Sequence, residues 1–259
     1  MKHLRRIHKT FLLALTTFLV VLFTGYYSPL SAGENSPSWS YGGSGNPTQW
    51  GSLGDDFAAC EVGRDQSPID ISDAVAGAPA RIRFNYEPTP LVVVNNGHTV
   101  QVNYEPGSSV IIRGRKYDLL QFHFHTPSEH TISGKAAAME LHLVHRNRAG
   151  TLAVVGILME SGTTNPSIDK IWQHIPEAGE TEKVEGVTLN AADFLPSNVD
   201  YFSYPGSLTT PPCSEEVKWH VLTEPVEVSE AQIAAFESLY QVNARPIQST
   251  NGRIIQLHQ

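Results

Sequence analysis

The chain has 259 residues and a formal net charge of −8, from 26 acidic and 18 basic residues. An acidic chain whose basic residues form no long run beyond the N-terminal segment is a poor binder of nucleic acid or anionic lipid, so neither is expected as a partner. Two cysteines, neither in a Cys-x-x-Cys, exclude a zinc ribbon or a dithiol redox site.

The N-terminal stretch MKHLRRIHKT carries Lys2, Arg5, Arg6 and Lys9 and no acidic residue, and FLLALTTFLVVLF (residues 11–23) is uncharged and almost wholly apolar. A basic n-region before a short apolar run is the pattern of a secretory signal. The run is shorter than the ~20 residues of a spanning helix. SPLSA, ending at Ala32, supplies a cleavage site, so residues 1–32 are read as a signal peptide and 33–259 as a single domain. Cleavage removes four basic residues and leaves 14 Lys and Arg against 26 Asp and Glu, a net charge near −12. The expected product is exported, periplasmic or secreted, with no membrane attachment after cleavage. In that compartment Cys60 and Cys213 are expected to form a disulfide tying an N-terminal arm to a late loop.

Residues 33–54 are rich in Gly, Ser, Pro and aromatics, a surface arm pinned by Trp39, Tyr41 and Trp50. From Arg81 to Glu160 the pattern is strand after strand: RIRFNY, PLVVV, HTVQVNY, SVIIR, KYDLLQFHFH, AAMELHLVH and LAVVGILME. Asn96-Gly97 between LVVV and HTVQV predicts a tight hairpin with a primed turn. Asn165-Pro166 opens a short helix through His174, with Pro at the first helical position. Ser229 caps another through Tyr240; Ser229 and Gln232 form a capping box, and Ile233, Phe236 and Tyr240 its apolar face. The chain is mainly β, with few and marginal helices.

Within QFHFH, residues 121–125, side chains alternate faces, so Gln121, His123 and His125 share one and Phe122 and Phe124 the other. MELHLVH splits the same way: Met139, Leu141 and Leu143 against Glu140, His142 and Val144. If the two strands are neighbours, three imidazoles converge. Three neutral imidazoles with an open fourth position make a catalytic zinc arrangement. Gln121 and Glu140, each two residues before a histidine on its own face, are placed to accept the other ring N–H of that histidine and fix its orientation. A second reading uses the same stretch: His-x-His, then Glu129 and Gly134, resembles the first metal motif of the cupins. In that reading Glu129 is a ligand, and the metal is iron or manganese.

The rest of the chain favours the first reading. RDQSPIDI (64–71), LVVVNNGHTVQV (91–102), LLQFHFH (119–125), SEHT (128–131), AMELHLVH (138–145), LAVVGILM (152–159), YFSYPGSLTTPPCSEEVKW (201–219) and NARPIQ (243–248) resemble, in the same order, the α-class carbonic anhydrases. The short TPS loop between His125 and Glu129 is like that of the bacterial, exported form. The resemblance runs from about Trp39 to Gln248 and implies a single catalytic domain. Its fold would be a central, largely antiparallel, twisted β-sheet of about ten strands with a few short peripheral helices. It implies reversible hydration of CO2 to bicarbonate and a proton by zinc-hydroxide attack, in a monomer or homodimer.

Carried over by the resemblance, His123, His125 and His142 bind Zn2+. Glu129 is the gating carboxylate, with Thr209 as its partner. Tyr41 is an active-site tyrosine, His98 the proton shuttle and Thr210 a substrate-side residue. Val144, Val154, Leu208, Val217 and Trp219 form the apolar wall for CO2. Gln101 departs from the shorter amide of the best-known members, which puts the water chain near the shuttle in question. His130, His145, His174, His220 and His258 are read as structural or surface residues.

Overall fold

Residues 38–259 are described by the computed structural model. The expected signal peptide, its cleavage point at Ala32 and the first residues of the expected domain lie outside the described residues. The arm comes first, as 3-10 turns over Gly43–Gly45, Trp50–Ser52 and Asp55–Phe57 and one helical turn, α1 (Ala59–Val62). Trp39, Tyr41 and Trp50 meet edge to face, and Trp50 Nε1 donates to Ser40 O and Gly45 O, closing the arm on itself. They pack with the Cys60–Cys213 disulfide, which bridges 153 residues of chain.

Strands follow: β1 (Asp70–Ile71), β2 (Val75–Ala76), β3 (Arg83–Asn85), β4 (Thr89–Asn95), β5 (Val100–Asn103), β6 (Ser109–Ile112), β7 (Arg115–His125), β8 (Thr131–Ile132), β9 (Lys135–Ala136), β10 (Met139–Arg146) and β11 (Leu152–Ser161). Then come α2 (Pro166–Trp172), β12 (Thr181–Leu189), β13 (Tyr201–Gly206), β14 (Val217–Leu222), β15 (Val226–Val228), α3 (Glu230–Glu237) and β16 (Gln256–His258). Among the described residues one large sheet runs β12-β4-β5-β7-β10-β11-β14-β13-β16-β2, with β3, β6 and β15 beside that path.

The sheet is mixed, a refinement of the antiparallel expectation. Hairpin neighbours pair antiparallel, but β11 runs parallel to β14 and β15, and β16 parallel to β2. Parallel partners are joined by long crossovers, which leave no local turn signal in the sequence.

Three local expectations change. The β4–β5 connection is a four-residue loop, not a primed two-residue turn. Only Gly97 takes positive φ, and Asn96 Oδ1 instead accepts from the amides of His98 and Thr99. Helix α2 stops at Trp172, short of His174, and α3 at Glu237, short of Tyr240; single turns continue each path. Their N-termini form as the residue types dictate: Asn165 caps Ser167 and Ile168 with Pro166 at N1, and Ser229 and Gln232 make a capping box.

Alternation along the strands sorts the core into two layers. Phe122, Phe124, Met139, Leu141 and Leu143 join the larger apolar cluster, onto which Ile233, Phe236 and Tyr240 also pack. Val144, Val154, Val217, Trp219 and Tyr204 belong to the smaller cluster on the opposite face of the sheet. His123, His125 and His142 lie on that second side, while His145 of β10 faces the larger cluster, against Tyr86.

Candidate active site

β7 and β10 are adjacent and antiparallel, and the register sets His142 directly opposite His123. The three imidazoles form one group: His125 and His142 have ring centroids 4.5 Å apart, and His123 lies 5.1 Å and 5.3 Å from them. One nitrogen from each lies within 4.8 Å of the others. His125 and His142 are buried, while His123 is partly open to the cleft.

Each ring is held by its other nitrogen. His123 Nδ1 donates to Gln121 Oε1 at 2.8 Å, His125 Nδ1 to the Asn243 carbonyl at 2.7 Å, and His142 Nε2 to Glu140 Oε1 at 2.9 Å. A neutral imidazole carries one N–H. These three bonds therefore leave the lone pairs on His123 Nε2, His125 Nε2 and His142 Nδ1. Burial holds all three below the ordinary imidazole pKa: His125 falls to about 4, His123 well below and His142 lower. All three are neutral at pH 7. His125 Nε2 is buried without a hydrogen-bond partner. An orphaned lone pair beside two more, in a set of neutral nitrogens, fits a borderline-soft metal ion such as zinc.

A second group, His130–Glu140–His142, is closed on itself. Glu140 accepts from the His130 amide, from His130 Nδ1 and from His142 Nε2, and His130 Nε2 accepts from the Tyr204 hydroxyl at 2.5 Å. The atoms that face one another here, His130 Nδ1, Glu140 Oε1 and His142 Nε2, are already paired, so the space between them offers an ion no free nitrogen lone pair. Burial alone would raise the Glu140 pKa; His130 and His142 hold it well below the usual carboxylate range. Gly156, opposite His142 on β11, keeps room for this carboxylate: a Cβ there would lie 2.8 Å from Glu140 Oε1. His130, read from the sequence as structural or surface, is wholly buried and clamps the carboxylate that orients His142.

Glu129 sits against the same nitrogens. Its Oε1 accepts from the Arg245 amide at 2.8 Å. Its Oε2 is 3.5 Å from His125 Nε2 and 3.8 Å from His142 Nδ1 and has no partner of good hydrogen-bond geometry, with the Thr209 hydroxyl alongside. Burial raises its pKa to about 7, against the lowering pull of His142, the Arg245 amide and Thr209. Tyr41 is close enough that Glu129 helps raise its phenol pKa, after burial. Val144, Val154, Val217 and Trp219 form one buried patch with Leu208 packed on it, and the Trp219 ring lies 4.8 Å from that of His142. Thr210 follows Thr209 into the cis Pro211–Pro212 bond, and its carbonyl accepts from the Cys213 amide.

His98 lies in the β4–β5 loop, half-buried, its ring stacked on Trp39 at 3.7 Å between centroids. Burial lowers its pKa from the ordinary imidazole value. Gln101 stands opposite His123 in the β5–β7 register and donates to Asn103 Oδ1. The link between His98 and the imidazole group is Asn243, absent from the sequence reading as a site residue. Its carbonyl holds His125, its Oδ1 accepts from the Thr126 amide, and its Nδ2 donates to the carbonyls of His98 and Phe124. Arg245, also missed, braces the arm: its guanidinium donates to Gln66, Ser67 and Cys60. A backbone acceptor more than a hundred residues away has no side-chain signature; membership of the NARPIQ block is the one signal that could have found either residue.

Residues 45–259 match the family model described as eukaryotic-type carbonic anhydrase. A carbonic anhydrase of Nostoc sp. is 45% identical over 243 residues, covering 91% of this chain and 92% of that protein. A hyperthermostable carbonic anhydrase from a hydrothermal vent chimney superposes with a TM-score of 0.84 at 46% identity, over 86% of this chain and 100% of that one. The α-carbonic anhydrase of Thermovibrio ammonificans, solved with the inhibitor sulfanilamide, gives a TM-score of 0.83 at 40% identity, over 85% and 99%.

Proposed function

This chain belongs to the eukaryotic-type, or α, carbonic anhydrase family and is a carbonic anhydrase, and on that premise we propose that it hydrates CO2 with zinc held by His123, His125 and His142 and with His98 as proton shuttle. The observation that carries the reading is the donor set: three neutral imidazoles, each with one nitrogen tied to an acceptor and the other free toward its neighbours. Gln121, Glu140 and the Asn243 carbonyl are the acceptors that fix those tautomers.

Zinc bound there supplies Lewis acidity that lowers the pKa of water toward ~7, the value established for carbonic anhydrase itself. The surrounding residues do the rest. Ionised, Glu129 can only accept hydrogen bonds. With Oε1 taken by the Arg245 amide, Oε2 is left for the Thr209 hydroxyl. Thr209 then turns its proton toward Glu129 and its own lone pair toward the attacking water. That water keeps a lone pair, not a hydrogen, facing the carbon of CO2. The Val144–Val154–Val217–Trp219 patch with Leu208 offers CO2 an apolar wall beside the imidazoles; Tyr41 lies near Glu129, and Thr210, next in the chain to Thr209, is assigned to the substrate side. Conversion to bicarbonate releases a proton, and His98 takes it up and passes it to solvent. An imidazole can both take up and release a proton, and half-burial against Trp39 leaves the rest of the ring open to water.

Export belongs to the same reading. The Cys60–Cys213 bridge suits a periplasmic or secreted protein, and no helix among the described residues is long and apolar enough to cross a membrane.

Metal content separates this mechanism from a cupin-type site. His142→Ala is expected to lose zinc, while Glu129→Gln keeps zinc and loses CO2 hydration. Loss of metal from Glu129→Gln would make Glu129 a ligand and overturn the assignment.

A further inference from the structure

Arg113 and Arg115 of the β6–β7 hairpin meet Lys218, far along the chain, on the face of the sheet opposite His123, His125 and His142. Lys218 and His220 alternate with Trp219 on β14, so they point away from the His142 side, together with Ser203 of β13 and Gln256 of β16. Over them bends the tip of the β6–β7 hairpin, with Arg113 and Arg115. Between tip and sheet lies a cavity of about 670 Å3. Arg113, Arg115 and Lys218 line it with Ile112, Tyr117 and Ile254, and no carboxylate does. Among the described residues none of the three cations makes an ion pair; the nearby Asp118 is paired to Lys116 instead.

The hairpin turn is unusual for its first residue. Arg113 and Gly114 both take positive φ, 49° and 76°, the conformation of a two-residue primed turn. Asn or Gly adopts it at little cost, and arginine does not. The turn directs the Arg113 guanidinium back onto the sheet, where Nη2 lies 3.3 Å from Gln256 Oε1 and 3.4 Å from His258 Nε2. The buried Tyr201 hydroxyl lies beside it. The remaining guanidinium donors stay available, and a fork of parallel N–H groups matches a carboxylate or a phosphate.

We propose that this reverse-face cavity binds a small organic anion, a carboxylate or phosphate group carried on an apolar body. Arg113, Arg115 and Lys218 would hold the anionic group, and Ile112, Tyr117 and Ile254 would cover the apolar part. The volume falls within the ~300–1,000 Å3 of small-molecule pockets. A concave site with three charges, on a chain whose net charge is −8, suits a small anion and repels a long polyanion.

The test uses the zinc-loaded protein with the histidine site blocked by sulfanilamide, the inhibitor found with the Thermovibrio relative. Phenyl phosphate, benzoate and inorganic phosphate are titrated calorimetrically at low and at high salt. Saturable one-to-one binding of phenyl phosphate or benzoate is expected with a Kd of roughly 1 mM or tighter, weakening with salt. The arm that binds more tightly identifies the anionic group. The double variant Arg113→Asn/Lys218→Gln, whose Asn suits the turn, should bind about tenfold or more weakly while CO2 hydration is unchanged. No saturable binding of either organic anion, or equal affinity in the double variant, overturns the site. Inorganic phosphate binding as tightly as phenyl phosphate overturns the apolar half of the assignment.

Discussion

Glu140→Gln separates an orienting role for this carboxylate from a purely structural one. The wild-type side chain is wholly buried and accepts three N–H bonds, at 2.8 Å from the His130 amide, 2.8 Å from His130 Nδ1 and 2.9 Å from His142 Nε2. A glutamine has one oxygen to offer. With that oxygen on the two imidazoles, its NH2 confronts the His130 amide, leaving a buried donor unpaired at a cost of about 1–3 kcal/mol. With the amide reversed, NH2 faces His142 Nε2, which must then accept, and the imidazole proton moves to Nδ1, the atom that would bind zinc. Either way the metal loses a basic, fixed ligand, and the affinity for zinc should fall about 10–100-fold. Two measurements are needed: zinc affinity by competition with a chelator, and urea unfolding of the metal-free protein. The expected pair is weaker zinc and a lower midpoint. Zinc affinity within about twofold of wild type would refute the orienting role and leave Glu140 as a scaffold residue only.

His98→Ala should slow CO2 hydration at low buffer concentration and recover with added imidazole; no recovery would mean that protons leave by another path, past Gln101. His145 is buried, bonded to Tyr86, and pushed down to about 4 by burial. Its depressed folded pKa makes its contribution whole above the unfolded value near 6.5 and lost as pH falls toward 4, by roughly 3 kcal/mol. Urea midpoints between pH 7 and pH 4 should therefore fall less steeply in His145→Gln than in wild type; equal slopes would contradict the assignment. Reducing the Cys60–Cys213 bridge, which closes 153 residues, should lower stability by about 2–5 kcal/mol in the same assay.

Much of the fold could be read from residue order because strand alternation is a local rule. QFHFH and MELHLVH are divided between two faces in the sequence, and the structure divides Phe122, Phe124, Leu141 and Leu143 from the three histidines along that line. The caps at Asn165 and Ser229 are local too, and both form. What escaped the sequence depends on long-range closure. The parallel pairing of β11 with β14 and β15 follows from crossovers and not from turns. Asn243 reaches His125 through its backbone, which any residue type possesses. Arg113 and Arg115 stand close together in RGRK, yet only folding brings Lys218 to them around one cavity. His130 looked like an ordinary structural or surface histidine because its partner, Glu140, lies across a loop and a strand start.

The most direct test of the account is stopped-flow CO2 hydration by one preparation in three states: as purified, stripped with a chelator, and resupplied with zinc. The account predicts rapid, sulfonamide-sensitive hydration that vanishes on stripping and returns with zinc, and that His142→Ala never regains it. Hydration that survives complete removal of the metal, or that zinc fails to restore to the folded wild-type protein, would contradict it.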